Sequence, residues 1–528
     1  MIRAWLIAVL FVAGCKKPDA LPSSPDEAWL EGRALTQGTP VNGGTLTIRL
    51  PLEPAGLTRL HDRFAEGTMT RITVGPVYET LAGRLAEKWS TNDEHTVTTI
   101  ELKKGIKFHD GTPFTSGDVK ATLEVIIAPD NASTVLRTSL DLIDGIETPD
   151  PHRVIVRWSR PSYFSEYTLV SSVPIMPAHA LEGEWDTLKV HRAPIGTGPF
   201  RFEKWEPGVS LSYVKADDRA HVQRVVFRFV KDEGSALRAW ERGEFDVMTR
   251  LSPANWRAME KQPWSWQQYQ RVRFSENTYS WIGFNQRHAM FRDVDTRRAL
   301  AMLYPAELIA KNVTLDLEPA TTCPYFPGSQ SCDPEVEPIA FEPEAAKELL
   351  KNAGWKDEDD DGVLEREGQK FTFSFLVPAQ SVRMAKLLPI YLDVLKDAGI
   401  DAHIETVDVS AYMSRVRPHD FDAMALSWSS PTDVQDNFQN FHSSQRDDGS
   451  NFVGYSNPEV DVLLEKLRVT WNPEERIAME REVHRRVYAD QAYLFLTRTP
   501  TLDAFRRNVQ NVKPSLAWYD LSSLWISK

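Results

Sequence analysis

Residues 371–429 predict an α/β fold built on parallel strands, and three observations carry that reading. Phe371, Phe373, Phe375 and Val377 alternate with Thr372, Ser374 and Leu376, the two-residue period of a strand. Met384, Leu387, Leu388, Tyr391, Leu392, Leu395 and Ala398 then recur at helical spacing, and Gly399 follows as a stop. Ile400, Ala402, Ile404 and Thr406 restart the alternation, Tyr412, Met413 and Val416 mark a short helix that breaks at Pro418, and residues 421–428 form a third apolar run. Strands joined through helices of this length lie parallel, with right-handed crossovers. Open parallel sheets bind ligands beyond the carboxyl ends of their strands. The third strand ends in Trp428, Ser429, Ser430, Pro431, Thr432 and Asp433: an aromatic plate, hydroxyls and a carboxylate placed where a ligand sits. The competing reading of Trp428 is a core residue.

The chain has 528 residues, too many for one hydrophobic core, and two or three domains are expected. A net charge of −13, with no basic stripe, argues against a nucleic-acid partner. At the N-terminus, Arg3 precedes an almost wholly apolar run, residues 5–13, which is too short to span a bilayer but suits a secretory signal. The run ends in Val12-Ala13-Gly14-Cys15, followed by a polar tether rich in Pro and Ser. That register resembles the lipoprotein box, in which Cys15 takes the lipid and anchors a soluble body to a membrane surface. The expected parts are a signal peptide at 1–14 and a lipidated, flexible tether at 15–42. Cys323 and Cys332, the other two cysteines, flank a turn-rich loop that closes easily in an oxidising compartment, so a disulfide is favoured over a metal site.

Along the chain, residues 43–50 read as a first strand, and residues 96–102 as an alternating strand. In residues 104–119, Asp110-Gly111 is a turn, and Thr115 caps a helix with Asp118 at its third position, running to about Ile127. This segment resembles the signature of bacterial extracellular solute-binding proteins of family 5, the oligopeptide- and dipeptide-binding components of ABC importers. Further matches fall in the family's order: Pro194-Ile195-Gly196-Thr197-Gly198-Pro199-Phe200 with Trp205, then Gly243-Glu244-Phe245-Asp246, then Phe284-Asn285 followed by Phe291 to Leu300. Residues 345–355 and 452–458 follow, and then two helices that open on Asn457-Pro458 and Asn472-Pro473, each with Asn as cap and Pro in the first turn. Each motif alone is weak, but the ordered set covers nearly all of the chain after residue 43.

The resemblance implies a two-lobed periplasmic-binding-protein fold of type II, in the large peptide-binding subtype with an extra inserted subdomain. Carried onto this chain, lobe one comprises 43–76, 190–275 and 496–528, the inserted subdomain is 77–189, and lobe two is 276–495. It also implies a monomer in the periplasm or at the cell surface, which closes on a peptide or similar small polar solute and presents it to the permease subunits of an ABC importer. No cofactor is implied. Relatives of this fold carry nickel complexes, haem or oligosaccharides, and 16 tryptophans keep sugar stacking as a second reading. A ligand sensor is a third. A cell-wall hydrolase needs an activated nucleophile or metal, and no such motif stands out.

In peptide-binding relatives, the strand-end Trp is followed three residues later by an Asp that holds the peptide ammonium. Here that position is Pro431, and the nearest carboxylates are Asp433 and Asp436. The expected ligand set is therefore Trp428, Ser429, Ser430, Asp433 and Asp436. Asn285 is added for its amide, with a turn role as the alternative, and Trp281 faces either cleft or core. His109-Asp110 is a tempting acid–base pair, but its neighbours make it a turn and cap. Asp357, Asp359 and Asp361, with Gly362 next, have the spacing of a calcium loop; position twelve is Gly368, leaving Glu365 or Glu367 as substitutes, and an acidic β-turn is the favoured reading.

Overall fold

The computed structural model describes residues 27–29, 38–58, 60, 64–129, 134–326, 328–429, 434–447, 449–515 and 518–527. Three main sheets organise these residues. The largest has eight strands, in the order Glu27–Trp29, Tyr269–Ser275, Pro500–Arg506, Val247–Met248, Thr45–Leu50, Arg224–Phe229, Ser210–Lys215 and Phe200–Glu206. A four-stranded antiparallel sheet takes Ala86–Thr91, Val97–Leu102, Arg153–Trp158 and Ile143–Asp150. Its apolar face (Ile100, Leu102, Val154, Val156) shares one continuous core with Leu46, Ile48 and Phe227 of the large sheet.

The third sheet has five strands, in the order Asp401–Val407, Thr372–Pro378, Ala423–Ser429, Thr278–Phe284 and Leu494–Phe495. Its first three strands are parallel, joined through the helices Val382–Asp397 and Val409–Val416 as the alternating pattern predicts. Thr278–Phe284 runs antiparallel to Ala423–Ser429 at the other side. Both faces of this sheet are covered. Phe373, Phe375 and Ile282 pack with Leu387, Tyr391 and Leu395 of the long helix. Leu376, Met424 and Trp281 pack with Val460, Leu464, Val483 and Val487 from the helices Pro458–Arg468 and Pro473–Ala489. Asn457 Oδ1 accepts from Glu459 N at 2.9 Å and Asn472 Oδ1 from Glu474 N at 2.9 Å, the capping that their Asn-Pro starts require.

The chain passes between the eight- and five-stranded sheets at two places that lie side by side. Ser275 pairs with Pro500 in one sheet and Trp281 with Phe495 in the other. Between them, buried Glu276 accepts from Thr501 Oγ1 at 2.5 Å and pairs with Arg250 at 2.6 Å and Arg71 at 3.4 Å. The chain also leaves the large sheet near Pro76 and returns near Gly198. There Gly198 N donates to Val77 O at 2.8 Å, and a Cβ on Gly196 or Gly198 falls 2.1 Å from Val77 O or 2.4 Å from Pro76 O. Only glycine permits that approach.

Candidate ligand-binding site

Antiparallel register places Trp428 directly opposite Tyr279, so both side chains stand on the same face of the five-stranded sheet, at the end of its third parallel strand. Four rings line up there. Phe452 and Trp428 are 5.9 Å apart and 19° from parallel, Trp428 and Trp281 5.9 Å and 27°, and Trp281 and Tyr493 3.8 Å and 14°. Trp428 is half-buried, and Ser429, next to it, is exposed. Ser430 and Asp433 lie outside the described residues, as does Cys15.

The four-stranded sheet's side of the molecule reaches this face. Phe164, from the helix Tyr163–Ser171, joins the same apolar cluster as Tyr279 and Trp281. The Arg476 guanidinium lies 3.7 Å over the Tyr163 ring. Glu166 meets His95 Nδ1 at 3.2 Å and accepts from Trp471 Nε1 at 3.2 Å.

Three expected ligand residues prove to be engaged elsewhere. Asn285 is fully buried; its amide donates to His419 O at 3.1 Å and Phe421 O at 2.9 Å, while its oxygen accepts from Arg287 N at 3.2 Å, so the amide serves a turn. Asp436 is bound to Arg468 at 2.6 Å and accepts from Phe438 N at 3.0 Å, so its charge is already paired within the chain. Trp281 has no exposed surface and backs the Trp428 ring from the core side. Sequence reasoning missed Tyr279, Phe452 and Tyr493. Alternation with Trp281 could have flagged Tyr279, whereas the others reach the site only through tertiary packing.

His109 and Asp110 make no acid–base pair. The His109 ring accepts from Gly196 N at 3.3 Å and donates from Nε2 to Gly198 O at 2.8 Å, which fixes the tautomer, and burial lowers its pKa. Asp110 Oδ1 accepts from Thr112 N at 3.0 Å. These bonds tie the segment 104–119 to the Gly196–Gly198 turn. The exposed Asp357, Asp359 and Asp361 bring oxygens within 4.8 Å of one another. The Lys370 ammonium lies among them, 3.1 Å from Asp359 and bonded to Asp361, and offsets part of their charge. Asp357 Oδ2 accepts from Gly362 N at 2.9 Å and Asp361 Oδ1 from Val363 N at 2.9 Å, so the loop's own backbone engages these carboxylates. Cys323 and Cys332 are joined in a disulfide.

The family model for bacterial extracellular solute-binding proteins, family 5, matches residues 80–450. The chain belongs to this family. Among its family 5 relatives, the oligopeptide-binding protein AppA of Bacillus subtilis is 25% identical over 553 residues, covering 100% of this chain and 98% of AppA. Di/tripeptide-binding protein 2 of Pseudomonas aeruginosa is 23% identical, covering 89% of this chain and 92% of that protein. The fold matches that of Bacillus subtilis AppA in complex with a nonapeptide, with TM-score 0.80 at 24% identity over 93% of this chain and 100% of AppA. It also matches Brucella suis NikA in complex with Fe(III)-EDTA, with TM-score 0.80 at 19% identity over 92% of this chain and 100% of NikA. Family 5 members are binding proteins located outside the cytoplasmic membrane, and among the described residues no helix is long and apolar enough to cross a membrane.

Proposed function

We propose that this chain is the membrane-anchored receptor of an ABC importer and captures peptides between two lobes that close by hinge motion. The observation that carries the reading is the Trp428 platform. It stands at a strand end, half-buried, on a face that residues of the helix Tyr163–Ser171 also approach. Similarity to AppA along the whole of both chains supports peptides as the ligand class. In this reading, lobe one comprises 43–76, 190–275 and 496–528, with the subdomain 77–189 inserted, and lobe two is 276–495. The paired crossings at 275–278 and 495–500 act as the hinge. Closure requires only contacts present in the closed state and absent in the open one.

Ser429 and Ser430 serve ligand main chain next to the indole, and Asp433 takes the ammonium that Pro431 cannot. A carboxylate in a closed cleft does so through a charge-assisted hydrogen bond stronger than its equivalent in water. Cys15 carries the lipid, and the permease engages the closed form. Calorimetry with random-sequence peptides tests the reading: Trp428→Ala is expected to weaken binding at least tenfold, measured at a temperature where the variant is still folded. The reading fails if affinity is unchanged. Retained peptide binding in Asp433→Asn overturns that residue's role alone.

A further inference from the structure

A third segment lies against the junction that the chain crosses at 275–278 and 495–500. The helix Ala306–Ile309 and the turn Ala310–Thr314 that continues it pack on the five-stranded side, where Ile309 and Val313 join the cluster of Leu387 and Tyr391. Three residues later the chain is in the other core. Leu317 has no exposed surface and clusters with Trp240, Trp256, Met248 and Leu502 of the eight-stranded side. The Leu315 carbonyl turns the same way, accepting from Arg257 Nη2 at 3.0 Å and Nε at 3.3 Å. Glu318 turns back: it pairs with Arg383, in the first turn of the helix Val382–Asp397, at 2.8 Å and accepts from Thr497 Oγ1 at 2.5 Å. Pro319 O then accepts from Arg498 N at 2.9 Å, and Thr321 N donates to Leu496 O at 3.2 Å, so the segment runs on beside the second crossing.

Reaching into one core and back out requires an unusual bend. Leu315, at φ 52°, and Asp316, at φ 58°, both stand in the left-handed region. Among the described residues they are the only two consecutive non-glycine residues that do so. L-residues avoid this region because Cβ crowds the following carbonyl oxygen. The bend is closed from the five-stranded side, where Asp316 N donates to Ala310 O and Leu317 N to Thr314 O, each at 3.0 Å. It is held from the eight-stranded side by the seat of Leu317 and the Arg257 guanidinium. Strained backbone persists only where its surroundings over-determine it, and here they do so from both sides of the junction.

We propose that Leu317 is a pin across the hinge, and that the Leu315-Asp316 bend is the joint that yields when the two lobes part. The inference rests on the closure proposed above. In that reading the Arg476–Tyr163 contact, and Phe164 in the cluster of Trp281, mark the closed form. As the lobes separate, Leu317 stays seated, the turn Ala310–Thr314 moves with its own sheet, and residues 315–316 take up the rotation by leaving the left-handed region. Closing restores the bend. The backbone preference of these two residues therefore enters the closing equilibrium, and through it the affinity for any ligand that binds the closed form.

Asp316 is exposed, so its side chain can be exchanged with little effect on packing. Asp316→Gly removes the penalty of the left-handed backbone, and Asp316→Val raises it, because a β-branched residue is an outlier at positive φ. Calorimetry on the full chain with random-sequence pentapeptides is expected to give binding roughly threefold or more tighter for the Gly variant and roughly fivefold or more weaker for the Val variant. The ligand-free melting temperatures of both are expected to stay near that of the wild type. Asp316→Asn, which tolerates the same backbone without the charge, is expected to bind like the wild type.

A bend that is the same in the open and closed forms gives the reverse pattern: melting temperatures of the ligand-free variants move and affinities do not. That pattern overturns the joint. So does an Asn variant that shifts affinity as far as the Gly variant, since the charge is then what acts. Should Asp316→Val fail to fold, the Gly variant decides alone, tighter binding supporting the joint and unchanged binding overturning it. Small-angle scattering separates the joint from the reading beneath it. A wild type that binds peptide without becoming more compact overturns both, and so does one that binds no peptide. Compaction of the wild type with unchanged affinity in the variants overturns the joint and leaves closure standing.

Discussion

The imidazole of His95 and the indole of Trp471 lie 3.5 Å apart, centroid to centroid, and 16° from parallel. Their backbones come from different layers of the fold, the four-stranded sheet and the helices that cover the five-stranded sheet. His95 sits at the tip of the hairpin between Ala86–Thr91 and Val97–Leu102, in a left-handed conformation with φ 53°. Trp471 sits between the helices Pro458–Arg468 and Pro473–Ala489. Glu166 bridges them, 3.2 Å from each. In the two-lobed closure proposed above, this contact belongs to the closed state alone. Removing the ring stack and one hydrogen bond in Trp471→Ala costs that state about 1–2 kcal/mol. Ligand affinity should then fall roughly five- to thirtyfold. Calorimetry measures it, and small-angle scattering of the ligand-bound form should show more open molecules. An unchanged affinity removes His95–Trp471 from the closure mechanism.

Gly283 is the space that the Trp281 ring occupies. A Cβ added there falls 2.6 Å from Trp281 Cζ3 and 2.4 Å from Val453 Cγ1, so Gly283→Ala forces the indole out of its stack with Tyr493 and Trp428. Overpacking of this kind costs about 1–3 kcal/mol. Urea unfolding should register the loss, together with a changed tryptophan emission maximum. A variant as stable as the wild type means that the ring can shift without penalty.

The disulfide closes a loop with a sequence separation of 9 residues. Chain entropy predicts about 2–3 kcal/mol for a loop so short, because little freedom is removed from the unfolded chain. Arg498 holds the same segment through the carbonyls of Cys323 and Tyr325. Reduction, or Cys323→Ser with Cys332→Ser, is therefore expected to lower the melting temperature without unfolding the protein at 25 °C. Complete unfolding on reduction contradicts that ledger.

What the sequence disclosed, it disclosed where the pattern is local. The alternation at 371–377 and 400–406 and the helical spacing at 384–398 fix the strand–helix–strand unit, because apolar period and turn residues agree there. The caps at Asn457, Asn472 and Thr115, the last with Asp118 bonding back to it, are legible for the same reason: donor and acceptor sit within three residues. Trp428 was visible from its position at a strand end. Tyr493 and Phe452 were not, since only tertiary packing brings them to the Trp428 ring and its neighbour Trp281. Asn285 and Asp436 misled because an amide or carboxylate near a strand end looks the same whether its partner is a ligand or its own chain, here His419 and Arg468.

His484 should make the protein acid-sensitive in a defined window. The ring is fully buried between the helix Pro473–Ala489 and the disulfide loop; Nδ1 accepts from Asp333 N at 3.0 Å, and Nε2 lies 3.0 Å from Thr322 Oγ1. Burial lowers its pKa from 6.5 to about 4, so the folded state holds it neutral where the unfolded chain protonates it. A depressed folded pKa gives stability that is complete above pH 6.5 and is lost as pH falls toward 4. At pH 4.5 the loss is about 2–3 kcal/mol. Buried Asp503, raised to about 6 by desolvation, acts with the opposite sign: it favours the folded state as pH falls below 6. Total stability therefore mixes the two, and the comparison that isolates His484 is wild type against His484→Gln. The variant is expected to be less stable at pH 7.5, where it loses the fit to Asp333 and Thr322, and to close much of that gap by pH 4.5, because Gln cannot take a proton. Urea titrations at both pH values read the difference, and a gap of constant size means that the imidazole does not titrate between them.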